Sequence, residues 1–129
     1  MSDIFGIGTD IIEINRIKKL LNKNNQFKKK IFSTKEIKSC ESSPNVSASY
    51  SKRFAAKEAF SKALGIGLSQ GISFSEISIN NNKKGAPFIE LLGKTKIIVK
   101  NMINKNNKIY LSLSDEKKYA LAMVVISTK

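Results

Sequence analysis

Histidine is absent from these 129 residues, and cysteine occurs once, at Cys40. A lone cysteine excludes an intrachain disulfide. Without a Cys/His cluster, a zinc site has no ligand set. Any metal must then rest on oxygen ligands, which favours Mg2+ or Mn2+. The missing histidine also removes the usual base for a serine or cysteine nucleophile, so Ser61 and Cys40 read as structural. No apolar run reaches ~18–20 residues, so no membrane-spanning helix is expected. The N-terminus lacks a basic region followed by an apolar core. No signal peptide is expected, and the expected compartment is the cytoplasm. Arginine is scarce: apart from Arg16 and Arg53, all of the 23 basic residues are lysines. Aromatics are few and are not interleaved with the basic runs, which argues against a nucleic-acid stacking platform.

What is present points to one folded domain spanning 1–129, with 41% hydrophobic residues. The formal net charge is +13, which favours encounters with anionic partners. Nucleic acid, an anionic membrane, a phosphorylated cofactor and an acidic protein all qualify, and charge alone does not choose among them.

Ile4 to Ile12 reads as a strand, with Phe5 and Ile7 on one face and Gly6, Gly8 and Asp10 on the other. The paired glycines imply that something packs close to their face. Ile14, Ile17, Leu20 and Leu21 recur at helical spacing from about Glu13, with Arg16, Lys18, Lys19 and Lys23 outside. Residues 22–26 read as a loop. Ser33 and Glu36 have the spacing of a capping box, and Pro44 marks a turn.

A longer helix is expected from Ser47 to Leu64, ended by Gly65 in a left-handed conformation. Its apolar stripe is Ala55, Ala56, Ala59, Phe60 and Ala63. Arg53, Lys57, Glu58, Ser61 and Lys62 form the opposite, polar arc. Ile72–Ile79 and Pro87–Leu92 read as strands around a polar turn, and 93–104 leans to helix. Ile109 to Leu113 and Tyr119 to Ile126 read as a final hairpin, the last strand buried on both faces. The fold class is α+β.

Two constellations carry chemistry, and each has two readings. Glu58 and Lys62 form an exposed i,i+4 pair worth ~0.3–0.5 kcal/mol, or a metal-binding carboxylate beside a phosphate-binding cation. Asp10 caps the next helix, or supplies the second carboxylate. Gly65-Ile66-Gly67 is a weak phosphate-loop signal at the wrong helix end, and a helix C-cap explains Gly65 better.

Together these segments resemble the holo-acyl-carrier-protein synthase family of 4'-phosphopantetheinyl transferases. Gly6-Ile7-Gly8-Thr9-Asp10-Ile11-Ile12-Glu13 resembles its N-terminal signature, and Arg53 through Gly65 its central signature. Gly85-Ala86-Pro87 matches a Gly-x-Pro turn, and Ser112-Leu113-Ser114 with Tyr119-Ala120-Leu121-Ala122 its last hairpin. The resemblance implies the transferase fold: a small mixed or antiparallel sheet with a long packed helix, assembled as a homotrimer with sites between subunits. It implies transfer of phosphopantetheine from coenzyme A to a serine of an acidic apo-acyl carrier protein, for fatty acid biosynthesis. Asp10 and Glu58 would ligate Mg2+, and these two with Lys62 would be catalytic. Arg53, Lys62, Gly65, Lys84, Gly85 and Pro87 would lie along coenzyme A, and Arg16, Lys19 and Lys23 would dock the carrier. Asp115 departs from the pattern, because the family commonly has histidine after Ser-x-Ser; Lys84 stands where asparagine is common. The alternatives are a catalytically weak homologue that binds coenzyme A or a carrier, and a small basic nucleic-acid-binding module.

Overall fold

The computed structural model describes residues 3–66 and 70–129. The chain runs β1 (Ile4–Glu13), α1 (Ile14–Lys23), α2 (Asn25–Ile31), α3 (Thr34–Glu41) and α4 (Val46–Leu64). After a short 3-10 turn at Phe74–Glu76 come β2 (Ile77–Asn81), β3 (Pro87–Leu91), α5 (Gly93–Met102), β4 (Lys108–Asp115) and β5 (Tyr119–Ser127). The strands form two antiparallel sheets, one ordered β1-β5-β4 and one pairing β2 with β3. The sheet expected to be mixed or antiparallel is thus antiparallel among the described residues.

The glycines of β1 explain how the fold closes. A Cβ at Gly6 would overlap the carbonyl oxygen of Ala63, and one at Gly8 that of Ala59. Strand and helix therefore touch backbone to backbone, and the alanine stripe of α4 makes that approach possible. Ala55, Ala56, Ala59 and Phe60 are fully buried there, against Ala120, Ala122, Val124 and Ile126 of β5. Asn45 caps α4 by accepting from Ala48 N at 3.1 Å, and Gly65 ends it with φ of 78°.

The capping box of α3 forms as expected: Ser33 Oγ accepts from Glu36 N, and Glu36 Oε1 from Ser33 N at 2.9 Å. Four other expectations are corrected. The loop at 22–26 shrinks to Asn24, whose side chain accepts from Gln26 N at 2.9 Å and starts α2 at once. The lysine run of α2 hid a helix that only Phe27 and Ile31, four apart, betray. The strand expected from Ile72 begins only at Ile77, because the carbonyls of Phe74 and Ile77 turn towards Lys57. Finally, β5 is buried on one face only; Tyr119, Leu121 and Met123 on the other are 40–48% exposed. The polar arc of α4 is also divided, since Arg53, Lys57 and Ser61 are buried while Lys62 is exposed.

Candidate active site

The antiparallel register sets Asp10 of β1 opposite Ala122 of β5, whose side chain faces α4. Asp10 therefore lies on the glycine face, beside the helix that the glycines admit. Lys62 reaches it from the last turn of α4. Its Nζ pairs with Asp10 Oδ1 at 3.2 Å and donates to Thr9 O at 3.0 Å. The partner of Lys62 at ion-pair distance is thus Asp10, 52 residues away, rather than Glu58 one turn back.

Glu58 is half-buried, and burial raises its pKa above the ordinary carboxylate value. The negative charge of Asp10 raises it further, while Lys62 and Arg16 act in the opposite sense. Asp10, Glu58, Lys62 and Arg16 are thus one electrostatic unit, assembled from β1, α4 and α1. Neighbouring carboxylates repel, and a cation beside them relieves that repulsion. No group of three or more His, Cys, Asp or Glu residues gathers in metal-binding range among the described residues. A two-carboxylate site suits a hard ion that keeps several positions for water and phosphate oxygens.

On α1, Arg16, Lys19 and Lys23 line one groove of about 550 Å3 with Glu13 and Leu20. The three residues expected to dock a carrier therefore share a surface, with an apolar Leu20 among the cations. Gly65 follows Lys62 by three residues, and a Cβ there would meet nothing within 4 Å. Its N–H donates to Ser61 O at 3.0 Å, as a helix C-cap requires. Gly67 lies outside the described residues.

Lys84 and Gly85 lie in the turn from β2 to β3, and Pro87 opens β3. Asn82 Oδ1 accepts from Lys84 N at 2.9 Å and Ala86 N at 3.0 Å, and Gly85 takes φ of 86°. Among the described residues, no hydrogen bond or ion pair joins this turn to the Asp10–Glu58–Lys62 cluster.

Arg53, expected along coenzyme A, is only 7% exposed, and its Nε donates to Ile79 O at 3.2 Å. Its Nη1 donates to Ser49 Oγ at 2.8 Å. Nine residues separate Arg53 from Lys62, which is half a revolution at roughly 100° per residue. The two side chains therefore leave α4 on opposite sides. Asp115 is not an uncompensated charge, since its Oδ1 pairs with Lys52 Nζ at 3.2 Å.

Sequence reading missed a buried network on the Arg53 side. Lys57 has no exposed side-chain surface and pairs with Glu36 Oε1 at 2.7 Å. Burial pushes its pKa down to about 8, against the opposing pull of Glu36. The only signal was Glu36 itself: a capping-box acid just before a helix with two cations four apart, Arg53 and Lys57.

Comparison with known proteins agrees with the sequence resemblance. Residues 6–124 match the 4'-phosphopantetheinyl transferase superfamily. A holo-[acyl-carrier-protein] synthase of Pelagibacter ubique is 46% identical over 127 residues, covering 98% of each chain. A holo-ACP synthase structure from Plasmodium yoelii has a TM-score of 0.83 and 39% identity, covering 98% of this chain and 96% of that one. A Bacillus anthracis holo-(acyl-carrier-protein) synthase in complex with CoA (3',5'-ADP) has a TM-score of 0.80 and 32% identity, covering 99% and 100%.

Proposed function

This chain belongs to the 4'-phosphopantetheinyl transferase superfamily, and on that premise we propose that it moves the 4'-phosphopantetheine arm of coenzyme A to a serine of an apo-acyl carrier protein. The observation that carries the reading is the meeting of Asp10, Glu58 and Lys62 across β1 and α4, inside the two segments that resemble the family's signatures. The reading treats 1–129 as one catalytic domain of the cytoplasm that makes holo-carrier for fatty acid biosynthesis.

Asp10 and Glu58 would hold Mg2+, or Mn2+ in its place. When bound, the ion offsets charge on the pyrophosphate of coenzyme A. The carrier's serine oxygen bonds to the β-phosphorus as the bridging P–O bond breaks, and adenosine 3',5'-bisphosphate leaves. Lys62, exposed over 56% of its side chain, stabilises the negative charge that builds on the phosphoryl oxygens. The serine proton needs an acceptor, and Asp10 and Glu58 are the carboxylates at hand. The ion pair between Asp115 and Lys52 supports an efficient enzyme over a weak homologue, because the carboxylate's repulsion of phosphate is offset.

Arg16, Lys19 and Lys23 would meet the acidic carrier, with the net charge of +13 steering the approach. Gly65, Lys84, Gly85 and Pro87 would lie along coenzyme A. The proposed assembly is a homotrimer with sites at the subunit clefts. Its support is the outer face of β1 and β5, where Phe5, Ile7, Ile11, Tyr119, Leu121 and Met123 are 38–65% exposed. A contiguous apolar sheet face of this kind is expected to be covered by copies of the chain.

The test is the intact mass of an apo carrier protein after incubation with this protein, coenzyme A and Mg2+. A gain of one phosphopantetheine, abolished by a chelator, is the expected result. An unchanged carrier mass with folded protein and several carriers would overturn the reading.

A further inference from the structure

Lys57 precedes Glu58 in the chain but faces α3 and β2 rather than β1. Beyond its pair with Glu36, its Nζ donates to Phe74 O at 2.8 Å and to Ile77 O. All three ammonium donors are therefore used. Glu36 is equally engaged: Oε1 also accepts from Ser33 N at 2.9 Å, and Oε2 from Ile79 N at 3.1 Å. Arg53 Nε adds a bond to Ile79 O at 3.2 Å, so both backbone groups of Ile79 are held by charged side chains.

A fully buried ion pair is a poor source of stability, since an apolar pair of similar volume commonly does as well or better. The geometry offers another role. The Lys57–Glu36 pair ties α4 to α3, and the remaining bonds that Lys57 and Glu36 make outside the α3 cap end on Phe74, Ile77 and Ile79, in β2 and the turn leading into it. That strand leads into the hairpin turn bearing Lys84 and Gly85, and Pro87 opens β3, while α4 bears Glu58 and Lys62.

We propose that Lys57, acting with Glu36, is a positioning residue that fixes the β2–β3 hairpin relative to the helix carrying Glu58 and Lys62, so that the hairpin tip meets the nucleotide end of coenzyme A. The inference rests on the proposed transfer reaction. It concerns substrate placement and involves no contact between Lys57 and the reacting atoms.

The test is Lys57→Met in the full chain. The expected result is a KM for coenzyme A raised about tenfold, with kcat within about threefold of wild type. Amide exchange at Ile79 and Asn80 should accelerate about tenfold while that of Gly8 to Ile12 is unchanged. Wild-type KM together with wild-type exchange in a folded variant would overturn the proposal, as would a kcat that falls as far as KM rises. Should the single variant fail to fold because Glu36 is left buried and unpaired, Glu36→Leu with Lys57→Met removes both charges and takes the same readouts. An inactive wild type would sink the transfer reading itself, and the exchange measurement would still decide whether the network anchors β2.

Discussion

Two sides of α4 carry ionic groups of the same kinds and treat them in opposite ways. Towards β1, Asp10, Glu58 and Lys62 meet in partial contact with water, and the side chain of Lys62 is 56% exposed. Towards α3 and β2, Glu36 and Lys57 are sealed at 0% exposure, with every donor and acceptor assigned. On the wet side Asp10 and Glu58 act on each other and on Lys62 and Arg16 within reach of water, so an approaching ion can still exchange with these partners. The dry side is matched atom for atom and has no capacity left for a ligand. The two sides thus differ here by access to water and by free bonding capacity rather than by residue type.

The largest effect should come from breaking the dry side alone. Glu36→Ala leaves Lys57 buried without its partner and removes the acceptor for Ile79 N. Urea or thermal unfolding should show a loss of about 3–5 kcal/mol. A loss under 1 kcal/mol would mean that water or a shifted side chain compensates, and the contrast between the two sides would fail.

Next comes the contact that places both sides. A methyl group in Gly8→Ala meets the carbonyl oxygen of Ala59, a backbone atom that cannot swing aside. The strand must move away from α4, at about 3 kcal/mol by analogy with overpacked cores. The same variant should lose activity beyond its loss of folded protein, because Asp10 moves with the strand. Wild-type unfolding would show that β1 and α4 are not locked together as the glycines require.

On the wet side, Asp10→Ala or Glu58→Ala should reverse the pattern. Transfer should fall at least about a hundredfold, while stability changes by no more than about 1 kcal/mol. A pH signature accompanies it. Because the pKa of Glu58 is raised, protons compete with the metal as pH falls through that raised value, so Mg2+ binding weakens towards acid. Titration calorimetry across pH on wild type and Asp10→Ala separates the contribution of Asp10. Full activity in both single variants would remove the metal assignment.

Most of the wet side was legible in the sequence, and most of the dry side was not. Glycine alternation in β1 put Asp10 on the face packed against another element, and the period of α4 put Glu58 and Lys62 on one arc. Both are local patterns, read at spacings of two and four residues. What periodicity did not reveal is how much of the arc another layer covers. Arg53 and Lys57 look like solvated cations until α3 and β2 close over them. The same limit explains the shortened β2, whose first carbonyls answer to a lysine 20 residues away in sequence. It also explains the half-exposed β5: an apolar run shows that a strand is covered, without showing whether its own chain supplies the cover.

The smallest expected effect lies farthest from the buried pair, in the groove of α1. Arg16→Gln with Lys19→Gln removes two cations from a rim that also holds Lys23 and Leu20. Exposed charges act over about a Debye length of ~8 Å at physiological salt, chiefly on the rate of encounter. Carrier affinity should therefore drop severalfold at low salt, and the difference from wild type should vanish as salt rises. The KM for coenzyme A should stay near its wild-type value for Lys19→Gln alone. For the double variant it should rise slightly, because Arg16 also acts on Glu58. Surface plasmon resonance against an apo carrier at three ionic strengths reads the first effect, and steady-state kinetics the second. A salt-independent loss would mean that these side chains make desolvated contacts with the carrier, which would move α1 from the exposed class of ionic surface to the buried one.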